Sequence, residues 1–247
     1  MSGLQKRDPW FALSSLTAAR IALGRAGGSV RTETLLDFRL AHARAKDAVE
    51  LAFAADALAE QLRAAEIETF RLETRARDRR SFLLRPDLGR ALQESARAEL
   101  CTRREAWGKR DLCIVVSDGL SALAAERQVA PLLSALLPAL LGAGMSLYPI
   151  FLVPFARVKL GDEIGEALNA RHCLMLLGER PGLSSPDSLG AYVTFRPGMH
   201  CTDADRNCVS NIRAEGLACG DAARQIAELL DASARLGTSG VALKLDA

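Results

Sequence analysis

The residues with the clearest capacity for chemistry fall into three short stretches of the second half of the chain. Gly178-Glu179-Arg180-Pro181-Gly182 follows the apolar run Cys173–Leu177 and puts a carboxylate and a guanidinium just past the end of a predicted strand. Ligands of open α/β sheets sit beyond the carboxyl ends of the strands. There Glu179, which only accepts hydrogen bonds, would suit a ligand rich in N–H donors. The competing expectation is a tight turn whose Glu-Arg pair is solvated and contributes little. Ser117-Asp118-Gly119 stands where a nucleophile elbow would stand. It lacks a glycine two residues before the serine, and neither His172 nor His200 is an obvious base for it. His200, Cys201, Asp203, Asp205 and Cys208 cluster within nine residues. The C-x₂₋₄-C and H-x₃₋₅-H spacings of zinc sites are absent from them, so a polar loop is expected and no metal ligand.

These residues need a sheet to position them. From Asp111 onward Leu112–Val116, Ser146–Leu152, Cys173–Leu177 and Ala191–Phe195 read as strands, with Val241–Leu245 as an edge strand. A long apolar helix running to Leu141, with a bend near Pro138, a short helix over 159–170 and a helix over Asp221–Leu236 lie between or after them. A β-α-β-α-β order implies a parallel sheet with right-handed crossovers. Residues 14–110 read as helical instead. One helix starts with Thr32 as its N-cap and packs through Leu35, Leu36, Phe38 and Leu40; a second covers 48–65. Leu84–Arg90 turns into a third, with Pro86 in its first turn, and Gly108 ends it. The predicted fold is therefore α/β: a helical N-terminal region over 1–110, then a Rossmann-like, mostly parallel sheet with flanking helices over 111–247.

A chain of 247 residues with 49% apolar and 25% charged residues can bury a sizeable core. Net charge of +2 and 5% aromatics argue against a nucleic-acid partner. The arginine run Arg71, Arg75, Arg77, Arg79, Arg80 and Arg85 is mixed with Glu66, Glu68, Glu73 and Asp78, which reads as a solvated face or a protein interface. No charge occurs between Arg127 and Arg157, but Pro131, Pro138, Gly142, Gly144, Pro149 and Pro154 interrupt that stretch, so it is not expected to span a membrane. Lys6, Arg7 and Asp8 precede an apolar run too short for a secretory signal. The six cysteines form no C-x-x-C pair, and Cys113 and Cys173 lie within apolar runs, as free thiols of a cytoplasmic protein do. The common triphosphate loop is missing, and Gly142-Ala-Gly144 joins a helix to a strand, which is not a dinucleotide fingerprint.

Several stretches together resemble the small subunit of adenosylcobalamin-dependent ethanolamine ammonia-lyase. They are Thr17-Ala-Ala-Arg20 with Gly24-Arg-Ala-Gly27, Leu84–Arg90, Val115-Val-Ser-Asp-Gly-Leu-Ser121, Arg157-Val-Lys159 through Ile164-Gly-Glu166, Gly178–Leu183 and Ala204–Ile212. In this order they cover roughly residues 15–245. The resemblance implies an α/β subunit beside a β/α-barrel large subunit in a higher hetero-oligomer, converting ethanolamine to acetaldehyde and ammonia. The cofactor's cobalt–carbon bond would supply the radical, and the small subunit would help hold cobalamin at the interface. Carried over position by position, the cofactor contacts fall on Val158, Glu179 and Cys208, with no catalytic residue and no cobalt ligand in this chain. Arg180 would fix the Glu179 carboxylate. Residues 1–16 are short beside the N-terminal extension of longer members, which argues against encapsulation in a bacterial microcompartment. The reading from another class is a self-sufficient α/β hydrolase or transferase using Ser117 and Asp118.

Overall fold

The computed structural model describes residues 8–17 and 19–244. Ala18 of the Thr17-Ala-Ala-Arg20 stretch, Lys6, Arg7 and Leu245 lie outside the described residues. Among the described residues, eight strands and seven α-helices follow one another. A small antiparallel hairpin, β1 (Arg25–Ala26) and β2 (Ser29–Val30), precedes α1 (Thr32–Glu50) and α2 (Ala55–Ala64). Then come β3 (Thr69–Arg71), α3 (Arg79–Leu84), α4 (Glu94–Trp107), β4 (Leu112–Ser117) and α5 (Ala122–Gly142). The remainder is β5 (Ile150–Leu152), α6 (Leu160–Leu168), β6 (His172–Gly178), β7 (Leu189–Phe195), β8 (Arg206–Ile212) and α7 (Cys219–Leu236).

Six strands form one sheet in the order β3-β5-β4-β6-β7-β8. The β3-β5, β5-β4 and β4-β6 pairs are parallel, whereas β6-β7 and β7-β8 are antiparallel. The fold is thus α/β with a mixed, mostly parallel sheet. Every residue of β4, β5 and β6 is buried, as expected of strands covered on both faces. One face packs on α2, α5 and α7 through Ile114, Val116, Leu174 and Leu176. The other packs on α4 and α6 through Cys113, Val115, Cys173, Met175 and Leu177. Strict alternation along β4 and β6 divides these side chains between the two cores. Burying each such side chain contributes about 1.5–3 kcal/mol. Cys113 and Cys173 face each other in register as free thiols.

Five features depart from the sequence expectation. Pro86 is not in the first turn of a helix: it precedes a 3₁₀ turn, Leu88–Arg90, and α4 begins only at Glu94. Thr69–Arg71, within the stretch read as helical, is a strand that pairs with β5, so the first half of the chain contributes an edge to the main sheet. Arg206–Ile212, read as a polar loop, is the opposite edge strand. Residues 240–242 form a 3₁₀ turn, and no strand is present over 241–244. In α1, Arg31 occupies the N-cap without a side-chain bond, and Leu35, Leu36, Phe38 and Leu40 are exposed. The helix buries Ala41, Ala45 and Ala48 instead, because only the small residues fit against α5.

The arginine run disperses. Arg71 pairs with Asp56, Arg85 with Asp87, and Arg79 reaches the buried Asp118. Among the described residues no helix is long and apolar enough to cross a membrane.

Candidate functional site

The connections leaving β4 and β6 depart in opposite directions, since β4 leads to β5 on one side and β6 to β7 on the other. That divergence makes a crevice at the carboxyl ends of the strands, where ligands of open α/β sheets bind. Glu179 is the first residue past β6. Its backbone N–H donates to Ser188 O at 2.9 Å, which closes the loop 179–188. One carboxylate oxygen, Oε2, accepts from Ser188 Oγ at 2.5 Å and from the Asn211 backbone N–H at 3.3 Å. The other, Oε1, takes no hydrogen bond among the described residues and lies beside Gly190. Arg180 is exposed and is not the partner of this carboxylate. Glu179 is therefore half-buried, anchored by one oxygen and presenting the other.

Cys208 reaches the same place from β8. It lies opposite Tyr192 in the register, and Tyr192 is two residues beyond Gly190. Along β6 and β7 the period of two puts Glu179, Gly190 and Tyr192 on the α4–α6 face. Cys208 is exposed; partial desolvation pushes its thiol up, a hydrogen bond with Tyr192 opposes that, and the nearby Glu179 carboxylate pushes it up further. Val158 packs against the core on that face too, just before α6. The next residues tie α6 to β8. Lys159 donates to Cys201 O at 2.5 Å and pairs with Asp162 at 2.9 Å, and Asp162 receives Arg206 bidentately at 2.6 and 2.9 Å. The Asp162 and Arg206 side chains are almost fully buried, so this pair locks the position of α6 relative to the start of β8.

Ser117 and Asp118 lie in the same crevice but are fully buried and already engaged. Ser117 Oγ donates to Asp118 Oδ1 at 3.0 Å and accepts from the Ala156 N–H at 3.0 Å. Asp118 Oδ1 also accepts from the Phe155 N–H at 2.7 Å, and Oδ2 accepts from Arg79 Nη1 at 2.8 Å. Phe155 has φ +60°, a left-handed conformation costly for a bulky residue, which these bonds hold. The hydroxyl has no histidine among its partners. His172 stands at the other end of the sheet, first in β6, with Nε2 3.1 Å from Ser233 Oγ and Nδ1 buried without a partner.

Burial holds the His172 pKa down at about 4, against an ordinary 6.5, and the neighbouring Arg171 charge adds to that effect. The unfolded chain therefore binds this proton first. Stability from this group is complete above about pH 6.5 and is lost as pH falls towards 4. Between pH 7.5 and 5 the loss should be about 2 kcal/mol. Urea midpoints of the wild type should follow that slope, and His172→Gln should be flatter by this amount; equal slopes would show that the ring is not held neutral.

A cleft of about 810 Å³ also lies at this far end and is lined by Lys109, Arg110, Arg171, Arg196 and the end of α7. Two of its cations serve helix termini: Arg110 Nε donates to Trp107 O and Arg171 Nη2 to Ala234 O. Positive side chains at carboxyl ends of helices complement the helix dipole, and that accounts for them here. No group of three or more His, Cys, Asp or Glu is placed to hold a metal ion among the described residues. In the 200–208 stretch Asp205 instead accepts from the Thr202 N–H and hydroxyl.

Residues 7–244 match the family profile described as the ethanolamine ammonia-lyase light chain. The chain is 52% identical over 245 residues to the ethanolamine ammonia-lyase small subunit of Azotobacter vinelandii, covering 97% of this chain and 89% of that one. It is 50% identical over 241 residues to the namesake from Pseudomonas putida, at 97% and 89% coverage, and 49% identical to that from Pseudomonas fluorescens, at 98% and 88%. The chain belongs to the ethanolamine ammonia-lyase small-subunit family.

Sequence reading passed over three groups that support the site in this small-subunit fold. Tyr192 was hidden as an ordinary strand aromatic. Asp162 and Glu163 lie in the helix expected over 159–170 and received no reading of their own, yet both are buried; Glu163 accepts from the Leu92 N–H at 2.8 Å. The available signal was two adjacent carboxylates between Leu160-Gly161 and Ile164-Gly165, in a helix with little polar surface of its own. Asp118 as a hub for Arg79 and Phe155 had no local signal, since its partners lie 39 and 37 residues away.

Proposed function

We propose that this chain acts as the small subunit of an adenosylcobalamin-dependent ethanolamine ammonia-lyase and holds the rim of the cofactor at its interface with a large subunit. When bound, the cofactor supplies the radical chemistry that converts ethanolamine to acetaldehyde and ammonia; the substrate site belongs to the large subunit. The observation that carries the reading, beside family membership, is the divided carboxylate of Glu179. Its Oε2 is consumed by Ser188 and Asn211 while Oε1 is left as an acceptor. A corrin rim bears carboxamides, whose N–H groups are the matching donors. Val158 would contribute apolar and main-chain contact, and Cys208 would pack at the rim. None of the three is asked to ligate cobalt.

Residues 1–110 would supply much of the subunit interface and 111–247 the cobalamin contact. Leu35, Leu36, Phe38 and Leu40 on α1, with Trp10, Leu16 and Val30, form exposed apolar surface of the kind that marks protein contacts. A higher hetero-oligomer with the large subunit, without nucleic acid or membrane, follows from the same reading, as does a cytoplasmic location. The self-sufficient hydrolase is disfavoured because Ser117 has neither exposure nor a base.

Co-purification with a large subunit, followed by the corrin spectrum and an ammonia assay, tests the proposal. A complex that takes up no cobalamin, or ammonia release by this chain alone, would remove it. Glu179→Gln is the sharper residue test than Glu179→Ala. Its amide oxygen can keep Ser188 and Asn211, while an NH₂ replaces Oε1 and turns the acceptor into a donor. Cobalamin retention should fall by on the order of tenfold or more, with the fold kept. Equal affinity would detach Glu179 from the cofactor.

A further inference from the structure

Tyr192 and Glu179 close on one glycine from two sides. At Gly190 a methyl group would meet Glu179 Oε1 at 3.0 Å and Tyr192 Cε2 at 3.1 Å. The tyrosine ring therefore leans back along β7 towards Glu179. Opposite that glycine the pairing is irregular: the two steps from Leu189 to Ala191 face three steps of β8, from Ile212 to Val209, so β8 carries an extra residue there, and such bulges re-aim side chains beside functional sites. Tyr192 is half-buried, with its ring against the α4–α6 core and Cys208 opposite it. Burial, the neighbouring Cys208 and Glu179, and a hydrogen bond with the Cys208 thiol hold its phenol well above the ordinary range; that sulfur is a weak partner, which a carboxamide oxygen would replace.

A carboxylate oxygen that only accepts, beside a hydroxyl that donates, is the complement of a primary carboxamide, which offers both N–H and C=O. We propose that Tyr192 is a further cofactor-contacting residue, its O–H and Glu179 Oε1 together gripping one carboxamide of the ligand rim over the bare Gly190. The inference rests on the cobalamin reading above and adds a donor to it. Gly190 then has a role as well: lacking a Cβ, it lets the two side chains lie over it and approach each other.

The test is a spectroscopic titration of the complex with its large subunit, using hydroxocobalamin as the probe. Wild type is compared with Tyr192→Phe, Glu179→Gln and the double variant. Phenylalanine keeps the ring packing, so assembly and thermal unfolding should be unchanged while affinity falls about three- to tenfold. If both groups serve one amide, the double variant should lose less than the product of the two single losses. Gly190→Ala, whose Cβ would press on both side chains and push them aside by a few tenths of an ångström, should also bind more weakly. Wild-type affinity in Tyr192→Phe overturns the proposal, and strictly multiplicative losses overturn the shared amide. A wild-type complex that takes up no hydroxocobalamin fails the cobalamin reading itself and is distinguished by that from both.

Discussion

Asp118→Ala is expected to destabilise the chain by about 3–5 kcal/mol, the range for removing one partner of a buried ion pair. The carboxylate is fully buried and has three kinds of partner: the Arg79 guanidinium, the Ser117 hydroxyl and the Phe155 N–H. Its loss strands Arg79, whose Nη2 is already buried without a partner. It also frees the turn at Phe155, where φ of +60° is kept only by that bond and its surroundings. Asp118→Asn separates the two contributions, because it keeps an acceptor for the N–H and removes the charge opposite Arg79. The urea midpoint of the chain, free or in complex, is the measurement. A midpoint shift below 1 kcal/mol for Asp118→Ala would mean that the crevice does not depend on this hub.

Gly178→Ala should be more damaging still. The added Cβ would lie 2.0 Å from Ser121 O and 2.4 Å from Asp118 O, both backbone atoms that cannot rotate away. The crossing is tight because the 118–121 turn is hydrogen-bonded to the end of β6, with the Leu120 N–H donating to Gly178 O at 2.9 Å. Gly119 faces the same contact from the other side, and its φ of +49° is a second reason for glycine there. Making room means separating β4 from β6 at the sheet centre, so little soluble protein is expected. Gly182→Ala, whose nearest contact is the Ser185 side chain, should express normally. Equal soluble yields of the two variants would contradict this account.

The two predictions concern the same geometry that places Glu179. The Gly178 crossing sets where the chain leaves the sheet. Asp118 and Arg79 hold the neighbouring turn against it, and the Asp162–Arg206 pair fixes the strand that carries Cys208. Weakening any of these should lower cofactor retention in proportion to lost structure, whereas Glu179→Gln should lower it with structure intact.

The sequence by itself determined the central strands, the helices between them and the loop at the end of β6, because runs buried on both faces show in local hydropathy. It also determined family membership, because the characteristic stretches occur in order along the whole chain. Tertiary structure alone decided which segments completed the sheet. Thr69–Arg71 is three residues long and Arg206–Ile212 is an edge strand with only two buried residues, so neither carries a pattern that stands out before its partner is known. Only packing decided that α1 turns its alanines inward and leaves its leucines exposed. At the site, sequence placed Glu179 past a strand but named the wrong partner for it. Ser188 comes from the loop before β7, Tyr192 from β7 and Asn211 from β8, and strand pairing, which is non-local, is what brings them near one carboxylate.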